Sequence, residues 1–350
     1  SRLTLTEFRN HVHLTLTPQA PFIALYGANG AGKTNILEAV SLLVPGRGLR
    51  RAALSEMAYS GGSGGFSISA ELDDTVIGTG IDAAQPERRK VRINSANATI
   101  NNLAEWISAI WLTPAMDRLF VDGAGARRRF LDRLVLALEP NHARNSSRYE
   151  KAVQQRNRIL TSPDGADPLW LDAIEAQMAE SGAAIIEARA RMLQSLAVQL
   201  DHAPTDPFPV PAIILAMDGP VSADDLKAHW RTTRRKDAGA GRTLTGPHRA
   251  DLVVHNRANG QAADRCSTGE QKALMLSLIL AHAALVSAQR GAPPILLLDE
   301  VAAHLDPDRR AALFARLGET GAQVWMTGTE AALFDAIGPA AHLVAVPGVG

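Results

Sequence analysis

A glycine-rich stretch at positions 27–34 constrains this chain more than any other part of its sequence. It reads GANGAGKT and lies between an apolar run at 22–26 and a helical pattern that begins at 35. The pattern G-x-x-x-x-G-K-T between a strand and a helix is typical of a phosphate-binding loop, whose backbone N–H groups surround an anion. A chance glycine-rich connector is disfavoured because both flanking elements are present. The sequence therefore predicts a nucleoside triphosphate site.

Each residue type in this loop has a physical role. Glycines allow the backbone to curl around a phosphate, and the lysine at position 33 adds a full positive charge to that of the helix N-terminus. The hydroxyl of Thr34 is placed to bind Mg²⁺. The predicted nucleotide contacts are Gly27, Asn29, Gly30, Gly32, Lys33, Thr34 and Asn35.

A second group of candidate residues follows the most apolar strand pattern of the chain, at 295–298. That run ends in Asp299 and Glu300, and neighbouring residues of a strand face opposite ways. Asp299 is predicted to hold Mg²⁺ and Glu300 to polarise a water molecule toward the γ-phosphate. Taken alone, the pair could equally be two solvated acids, but the upstream loop favours catalysis. The predicted catalytic residues are Glu300, Lys33 and Asp299.

The run STGEQKAL at 267–274 opens a long apolar helical pattern at 273–288. Ser267 has the properties of an N-cap, and Gly269 would let an anion approach the exposed N–H groups. The same residues fit a capping box, because Glu270 follows Ser267 by three positions. The pattern alone leaves both interpretations open.

Composition limits the classes of function. The 350 residues contain 36 basic and 36 acidic side chains, so any binding to nucleic acid must come from local patches. One cysteine excludes an intramolecular disulfide and fits a reducing compartment. The apolar run at 273–288 is interrupted by polar residues and is short for a membrane span. We expect a cytoplasmic protein with no membrane partner, and a buried helix at this run.

The order of patterns along the chain predicts an α/β fold with two lobes. A hairpin is expected at residues 3–16, three antiparallel strands at 66–72, 76–81 and 90–93, and a strand at 110–112. The pattern is helical from 127 to about 200, and strand patterns recur at 212–217, 252–255 and 295–298. We therefore expect a mixed-sheet lobe of residues 1–115 and 242–350, with a mainly helical lobe of residues 116–241 inserted into it.

The order of these motifs resembles the ABC-type ATPase family: Walker A, a long interval, a signature and Walker B with a catalytic glutamate. Residues 301–306 look like the D-loop of that family, with Asp306 in the matching place. The resemblance implies an ATPase head that binds ATP and Mg²⁺. It also implies an ATP-dependent homodimer, in which Ser267, Gly269 and Gln271 complete the site of the other protomer.

Further segments narrow the resemblance. The interval between the motifs holds only a compact helical region, and residues 8–10, 46–50, 112–114, 127–132 and 245–252 are similar to the RecF family of recombination mediators, within the SMC/Rad50-like group. This resemblance implies binding to duplex DNA near single-strand gaps and loading of a recombinase during repair and replication restart. It also implies RecR and RecO as partners, and a weak, DNA-stimulated ATPase.

Two departures from the ABC pattern bear on turnover. No glutamine occupies the Q-loop position near 112–117, where Asp117 is a possible substitute, and the switch-histidine position reads Thr327-Gly328-Thr329. Slow hydrolysis is therefore expected. A transport-associated ATPase is a second candidate function, but it lacks support because no glutamine-bearing coupling loop is evident. An ATP-gated interaction module without productive turnover is favoured by the missing histidine.

Four arginines are candidate DNA contacts: Arg127, Arg128, Arg129 and Arg50. The first three lie at a predicted helix start, where positive charge opposes the helix dipole. This placement suggests a use other than stability, although a solvated helix face is the simpler interpretation. Arg50 follows the phosphate loop in a basic segment. Three interpretations of this segment stay open: a solvated loop, a nucleotide sensor and a DNA contact.

Overall fold

The structure is a computed structural model that describes residues 1–162 and 167–348. The chain divides into two compact units, one of Ser1–Met116 with Val286–Gly350 and the other of Asp117–Leu285. Strands and helices are numbered below in chain order.

An antiparallel sheet of six strands lies in the first unit. In spatial order its strands are β2 (His11–Leu16), β1 (Arg2–Phe8), β4 (Phe66–Leu72), β5 (Thr75–Asp82), β6 (Gln85–Ile93) and β7 (Ala96–Ala98). Alternation along β1 buries Leu3, Leu5 and Phe8. The predicted hairpin at 3–16 and the three antiparallel strands that follow it are confirmed.

The first unit also contains a five-stranded sheet in which every pairing is parallel. In spatial order its strands are β13 (Ala341–Ala345), β3 (Phe22–Tyr26), β12 (Val324–Gly328), β11 (Ile295–Leu298) and β8 (Ala109–Leu112). The strand predicted at 295–298 is β11, and it lies inside the sheet, between β12 and β8. Its continuous apolar sequence suits a strand that is covered on both faces.

Three helices belong to the first unit: α1 (Lys33–Ser41), α2 (Leu103–Trp106) and α8 (Pro307–Glu319). Helix α1 follows β3 and buries an apolar face that includes Ile36 and Leu37. These side chains share one hydrophobic cluster with Leu5 of the antiparallel sheet and Leu297 of the parallel sheet. The helix behind the phosphate loop is therefore fixed to both sheets of the unit.

The second unit is mainly helical, as predicted. Its helices are α3 (Ala124–Leu138), α4 (Asn141–Leu160), α5 (Pro168–Asp201), α6 (Ala223–Ala240) and the start of α7 (Thr268–Arg290), and its two strands are β9 (Pro211–Ala216) and β10 (Asp251–Asn256). A core cluster that includes Met178, Leu226 and Trp230 joins α4, α5 and α6.

An ionic network is buried between these three helices. Arg156 of α4 has no exposed side-chain surface and donates hydrogen bonds to Glu175 of α5 at 2.9 Å and to Asp237 of α6 at 2.8 Å. A third bond reaches the carbonyl oxygen of Trp230. Removal of one partner would leave a buried charge unpaired, so the network fixes the three helices in one arrangement.

The boundary between the units differs from the expected one on its C-terminal side. Residues 242–285, which we expected in the ATPase lobe, lie in the second unit. The reason is the pairing of β10, which is antiparallel to β9 and does not join either larger sheet. Arg127 of α3 also pairs with Asp251 of β10 at 2.8 Å. The N-terminal boundary falls after Met116, one residue from the expected position.

Helix α7 is the buried apolar helix that the sequence predicts. By length and composition it could cross a membrane, but 78% of its most apolar window is buried inside the chain. His282 on this helix has no exposed surface, and its Nε2 donates to the carbonyl oxygen of Leu134 at 2.9 Å. Burial lowers the pKa of His282 from 6.5 to about 4.

The pKa of His282 predicts acid destabilisation in a defined window. The unfolded chain binds a proton near pH 6.5 but the folded chain only near pH 4, so the contribution of neutral His282 is full above pH 6.5 and is lost as pH falls toward 4. Between pH 7 and pH 5 we expect a loss on the order of 2 kcal/mol, measured by urea unfolding. His282→Gln should lose correspondingly less over the same interval. Equal losses in the two proteins would contradict the assignment.

Candidate functional site

The glycine-rich loop connects β3 to α1, as predicted. Gly27, Gly30 and Gly32 have φ values of 148°, 82° and 98°, a region that favours glycine. A side chain at Gly32 would also collide with the amide of Asn10. The loop therefore needs glycine both for its curl and for close contact with the β1–β2 turn. It ends at the N-terminus of α1, where free N–H groups favour an anion.

Lys33 is buried at the start of α1, with 6% of its surface exposed. Its Nζ donates to the carbonyl oxygens of Gly27 at 2.7 Å and Ala28 at 2.8 Å. These contacts hold the ammonium group against the loop that precedes it. The positive charge is thus fixed beside the backbone that the sequence predicts to hold phosphates.

The loop is tied to the parallel sheet by one hydrogen bond between side chains. Thr34 Oγ1 donates to Asp299 Oδ1 at 2.9 Å, although the two residues are far apart in sequence. Asp299 follows the last residue of β11 and is 7% exposed. The two predicted metal-binding oxygens therefore lie together at the carboxyl edge of the sheet.

These oxygens are compatible with Mg²⁺. The described residues contain no group of three or more His, Cys, Asp or Glu side chains that could hold a metal ion. Mg²⁺ at a nucleotide needs no such group, because it commonly takes one or two protein ligands and completes its shell with phosphate oxygens and water. A hydroxyl and a carboxylate 2.9 Å apart meet that requirement.

Glu300 has an unusual backbone conformation, with φ of 56°. Left-handed backbone is uncommon for residues other than glycine and is often found at functional sites. Its N–H donates to Thr327 Oγ1 at 2.8 Å, and Glu300 is one of the residues that line the pocket beside the phosphate loop. Asp299 is buried, while Glu300 is half-buried and lines this pocket. The separate roles of the two acids stay predictions.

The pocket has a volume of about 230 Å³. It is lined by Asn29, Gly30, Gly32, Lys33, Thr34, Asn35, Arg50 and Glu300, all of which belong to the first unit. Pockets that enclose a small molecule usually measure roughly 300–1,000 Å³. The pocket is therefore smaller than a typical site for a whole nucleotide, and its lining includes the phosphate loop.

Arg50 lies in this pocket. Its Nη1 donates to Asn35 Oδ1 at 2.6 Å and is 3.3 Å from Glu38 Oε2. Of the interpretations that the sequence left open, this position fits nucleotide sensing, since the guanidinium group lies beside the phosphate loop. A DNA contact through Arg50 stays a prediction.

Sequence reasoning missed the ion pair that supports the loop from behind. Glu38 of α1 has no exposed surface, and both its carboxylate oxygens accept bonds from Arg9, at 2.8 and 2.9 Å. The neighbouring Asn10 donates to the carbonyl oxygen of Ala31 at 3.0 Å and accepts from Asn35 at 2.7 Å. An acidic residue on the apolar face of a predicted helix was the available signal, because a buried carboxylate requires a partner.

The signature residues form a helix N-terminus in the second unit. Ser267 and Glu270 bond reciprocally: Ser267 N donates to Glu270 Oε2 at 2.8 Å, and Glu270 N donates to Ser267 Oγ at 3.3 Å. Bonds from Ser267 also lower the pKa of Glu270. The capping-box interpretation is thus confirmed for this state. Gly269 has open space around it, and Gln271 Nε2 donates to the carbonyl oxygen of Cys266 at 2.8 Å.

Two further predicted positions have local structural contacts. Asp306 is the N-cap of α8, and its carboxylate accepts from Arg309 N at 2.9 Å. Asp117, the possible Q-loop substitute, lies 3.6 Å from Lys272 in the second unit. These contacts leave the proposed D-loop and Q-loop roles as predictions.

The three arginines at the start of α3 differ in their surroundings. Arg127 forms a two-pronged bond with Asp251, both distances being 2.8 Å, and this bond raises the pKa of Arg127. Arg128 donates to the carbonyl oxygen of Ala250 at 2.8 Å, and burial lowers its pKa. Arg129 is exposed. The first two arginines therefore attach α3 to β10, and Arg129 is the member of the group that faces solvent.

Solved structures with the same fold give the class of protein. A RecF–ATP structure of the recombination mediator protein in the RecFOR pathway matches with a TM-score of 0.82 at 24% identity, covering 94% of this chain and 91% of that chain. An Smc head domain from Pyrococcus furiosus matches with a TM-score of 0.55 at 16% identity, covering 98% and 92%. The fold of this chain is that of the head domains of RecF and Smc proteins.

Sequence relatives identify the family. The sequence matches the RecF/RecN/SMC N terminal domain over residues 1–345. It is 50% identical to the DNA replication and repair protein RecF of Mesorhizobium japonicum, covering 96% of this chain and 93% of that protein. It is also 50% identical to RecF of Rhizobium johnstonii, covering 99% and 96%. The chain belongs to the RecF family of DNA replication and repair proteins.

The pair Arg9–Glu38 gives a stability prediction. Arg9→Met would leave the fully buried Glu38 carboxylate with only its longer contact to Arg50, so we expect a loss of about 3–5 kcal/mol in the free energy of unfolding. Arg2→Met, at the start of β1, breaks an exposed pair with Glu71 and should cost much less, because water already screens that pair. Chemical denaturation measures both. Similar losses in the two variants would contradict the structural role of the buried pair.

Proposed function

We propose that this chain is an ATP-dependent recombination mediator that dimerises on ATP, binds duplex DNA near single-strand gaps and promotes recombinase loading. The observation that carries the proposal is the contact between Thr34 and Asp299 at 2.9 Å, beside a phosphate-type loop whose pocket Glu300 also lines. Membership of the RecF family supports the link to DNA repair and replication restart.

In the proposed site, the loop holds the phosphates of ATP. The curled backbone from Gly27 to Gly32 and the N-terminus of α1 would supply N–H donors, and Lys33 would supply a full charge. Asn29 and Asn35 lie at the pocket wall. Thr34 and Asp299 would hold Mg²⁺, which neutralises charge on the phosphate oxygens when bound.

Glu300 is the proposed general base, since it lines the pocket. It would accept a proton from the water that attacks the γ-phosphorus, the bond from that phosphorus to the β,γ-bridging oxygen would break, and ADP would leave with Lys33 balancing negative charge on the phosphates. Hydrolysis is expected to be slow, since Thr327 stands where the switch histidine of the resembled family would lie. Stimulation by DNA would couple release of the dimer to completed loading.

The proposed dimer would complete the pocket. The pocket measures about 230 Å³ and is lined by residues of the first unit, and we propose that a second copy of the chain covers it. Ser267 and Gly269 are exposed at a helix N-terminus, so they can face the γ-phosphate of a second copy. Gln271 would support that turn and Asp306 would lie at the same interface. ATP would then act as the contact that joins two chains.

The DNA surface is proposed to be local, since 36 basic and 36 acidic residues balance. Arg129 is exposed, whereas Arg127 and Arg128 are engaged by α3–β10 contacts. We propose that Arg129 contacts phosphate and that the other two hold it in place. RecR and RecO are the proposed protein partners. The proposed location is the cytoplasm, with association to the nucleoid when the protein is bound to DNA.

ATP-dependent dimerisation is testable by light scattering with a non-hydrolysable ATP analogue. Wild type should double in mass, Lys33→Met should neither bind nucleotide nor dimerise, and Ser267→Arg should bind nucleotide but stay monomeric. Ser222→Arg is the matched control, since Ser222 caps α6 in the same way, accepting from Asp225 N at 3.2 Å. It should dimerise like wild type. A monomeric wild type in the analogue, or full dimerisation of Ser267→Arg, would overturn the shared site.

DNA binding is testable by its salt dependence on gapped and intact duplex in the presence of the same analogue. Arg129→Gln should lower the slope of log K against log salt by about 0.9, the value for one phosphate contact. Arg191→Gln removes the same charge from an arginine already paired with Glu139 and Glu187, and should change the slope less. No binding to gapped duplex at low salt would remove the main premise of the mediator function.

A further inference from the structure

One hydroxyl group contacts both residues of the acidic pair. Strands β11 and β12 are parallel neighbours with Leu298 opposite Met326, so Asp299, just past the end of β11, lies beside Thr327, which is still within β12. Thr327 has no exposed surface. Its Oγ1 donates to Asp299 Oδ1 at 2.7 Å and accepts from Glu300 N at 2.8 Å.

The two contacts fix the orientation of the Thr327 hydroxyl. A threonine hydroxyl has a single proton to donate, and here that proton goes to the Asp299 carboxylate. The oxygen then accepts the N–H of Glu300. Because Thr34 donates to the same Oδ1 of Asp299, a continuous chain of hydrogen bonds runs from the backbone of Glu300 to the phosphate loop.

We propose that Thr327 is a positioning residue for ATP hydrolysis, which aligns Glu300 with the phosphate loop through Asp299. The inference rests on the proposed function of the site. Glu300 has φ of 56°, and the bond from its N–H to Thr327 holds it in that uncommon conformation. In this conformation Glu300 lines the pocket beside the phosphate loop.

The position of Thr327 explains how the acidic pair can stay aligned although no switch histidine is present. Thr327 is the fourth residue of β12, inside the sheet, and its hydroxyl is committed to the acidic pair. Thr329, two residues later, is exposed. Thr327 therefore acts on the geometry of the carboxylates from within the sheet, and its removal should affect the chemical step more than nucleotide binding.

The test compares Thr327→Val, which keeps the shape but lacks the hydroxyl, with Thr327→Ser, which keeps the hydroxyl. In Thr327→Val, Asp299 loses one donor and the N–H of Glu300 loses its acceptor. We expect kcat to fall by about 10- to 100-fold, as for a small misplacement of a catalytic group, with the Kd for ATP and analogue-induced dimerisation within about threefold of wild type. Thr327→Ser and the matched control Thr329→Val should keep kcat within about threefold.

The outcomes separate this inference from the proposed function. Turnover by wild type but not by Glu300→Gln supports the proposed hydrolysis site. The kcat of Thr327→Val then tests whether Thr327 positions Glu300. Unchanged kcat in Thr327→Val, or an equal loss in Thr327→Ser, overturns the positioning role alone. If Thr327→Val lowers ATP binding and Tm in proportion to kcat, the positioning role is also overturned, because the residue then only stabilises the fold. Absence of turnover in wild type overturns the proposed hydrolysis and this inference together.

Discussion

The carboxylate of Asp299 lies at the end of an inner parallel strand, with only 7% of its residue surface exposed. Its hydrogen bonds come from the hydroxyls of Thr34 and Thr327, at 2.9 and 2.7 Å. Among the residues that the structure describes, no cation pairs with it. A buried carboxylate is costly unless its charge is compensated, so its position beside the phosphate loop favours a bound cation. The loop, the acidic pair and strand β12 all depend on this group.

Strand order brings the parts of this site together. Strands β3, β12 and β11 are neighbours in one parallel sheet, so their carboxyl ends meet at one edge. The phosphate loop leaves β3, the acidic pair leaves β11, and Thr327 lies on the strand between them. The antiparallel sheet supports the same edge from behind, through the bond between Arg9 and Glu38. A site assembled in this way is fixed by sheet geometry more than by loop conformation.

The sequence was sufficient to predict the elements that carry strong local patterns. The phosphate loop, the apolar strand before Asp299, the hairpin at 3–16 and the buried helix α7 each have a period or motif of their own. Contacts between distant residues carried no such pattern. A hydroxyl at position 327 or an arginine at position 9 is common in any sequence, and only the sheet register and the fold show which partner it meets.

The same limit explains the lobe boundary and the arginines of α3. Strand β10 has an ordinary alternating pattern, and nothing in that pattern states that it pairs with β9 in a separate two-stranded sheet. Three consecutive arginines look alike in the sequence, yet Arg127 is paired with Asp251 while Arg129 is exposed. The sequence gives the charge of each residue, but tertiary structure decides whether that charge is paired or exposed to solvent.

Ser267 already has a partner before any second subunit arrives. Its hydroxyl donates to Glu270 at 2.7 Å, and that carboxylate carries negative charge at the same helix N-terminus. In the proposed dimer, an approaching phosphate would be attracted by the helix end and repelled by Glu270, and Ser267 would have to exchange one acceptor for another. The Glu270 carboxylate would therefore make the proposed contact weaker than one at an uncapped helix end. Exchange of the Glu270 carboxylate for a phosphate at Ser267 would make dimer formation reversible by a change at a single helix end.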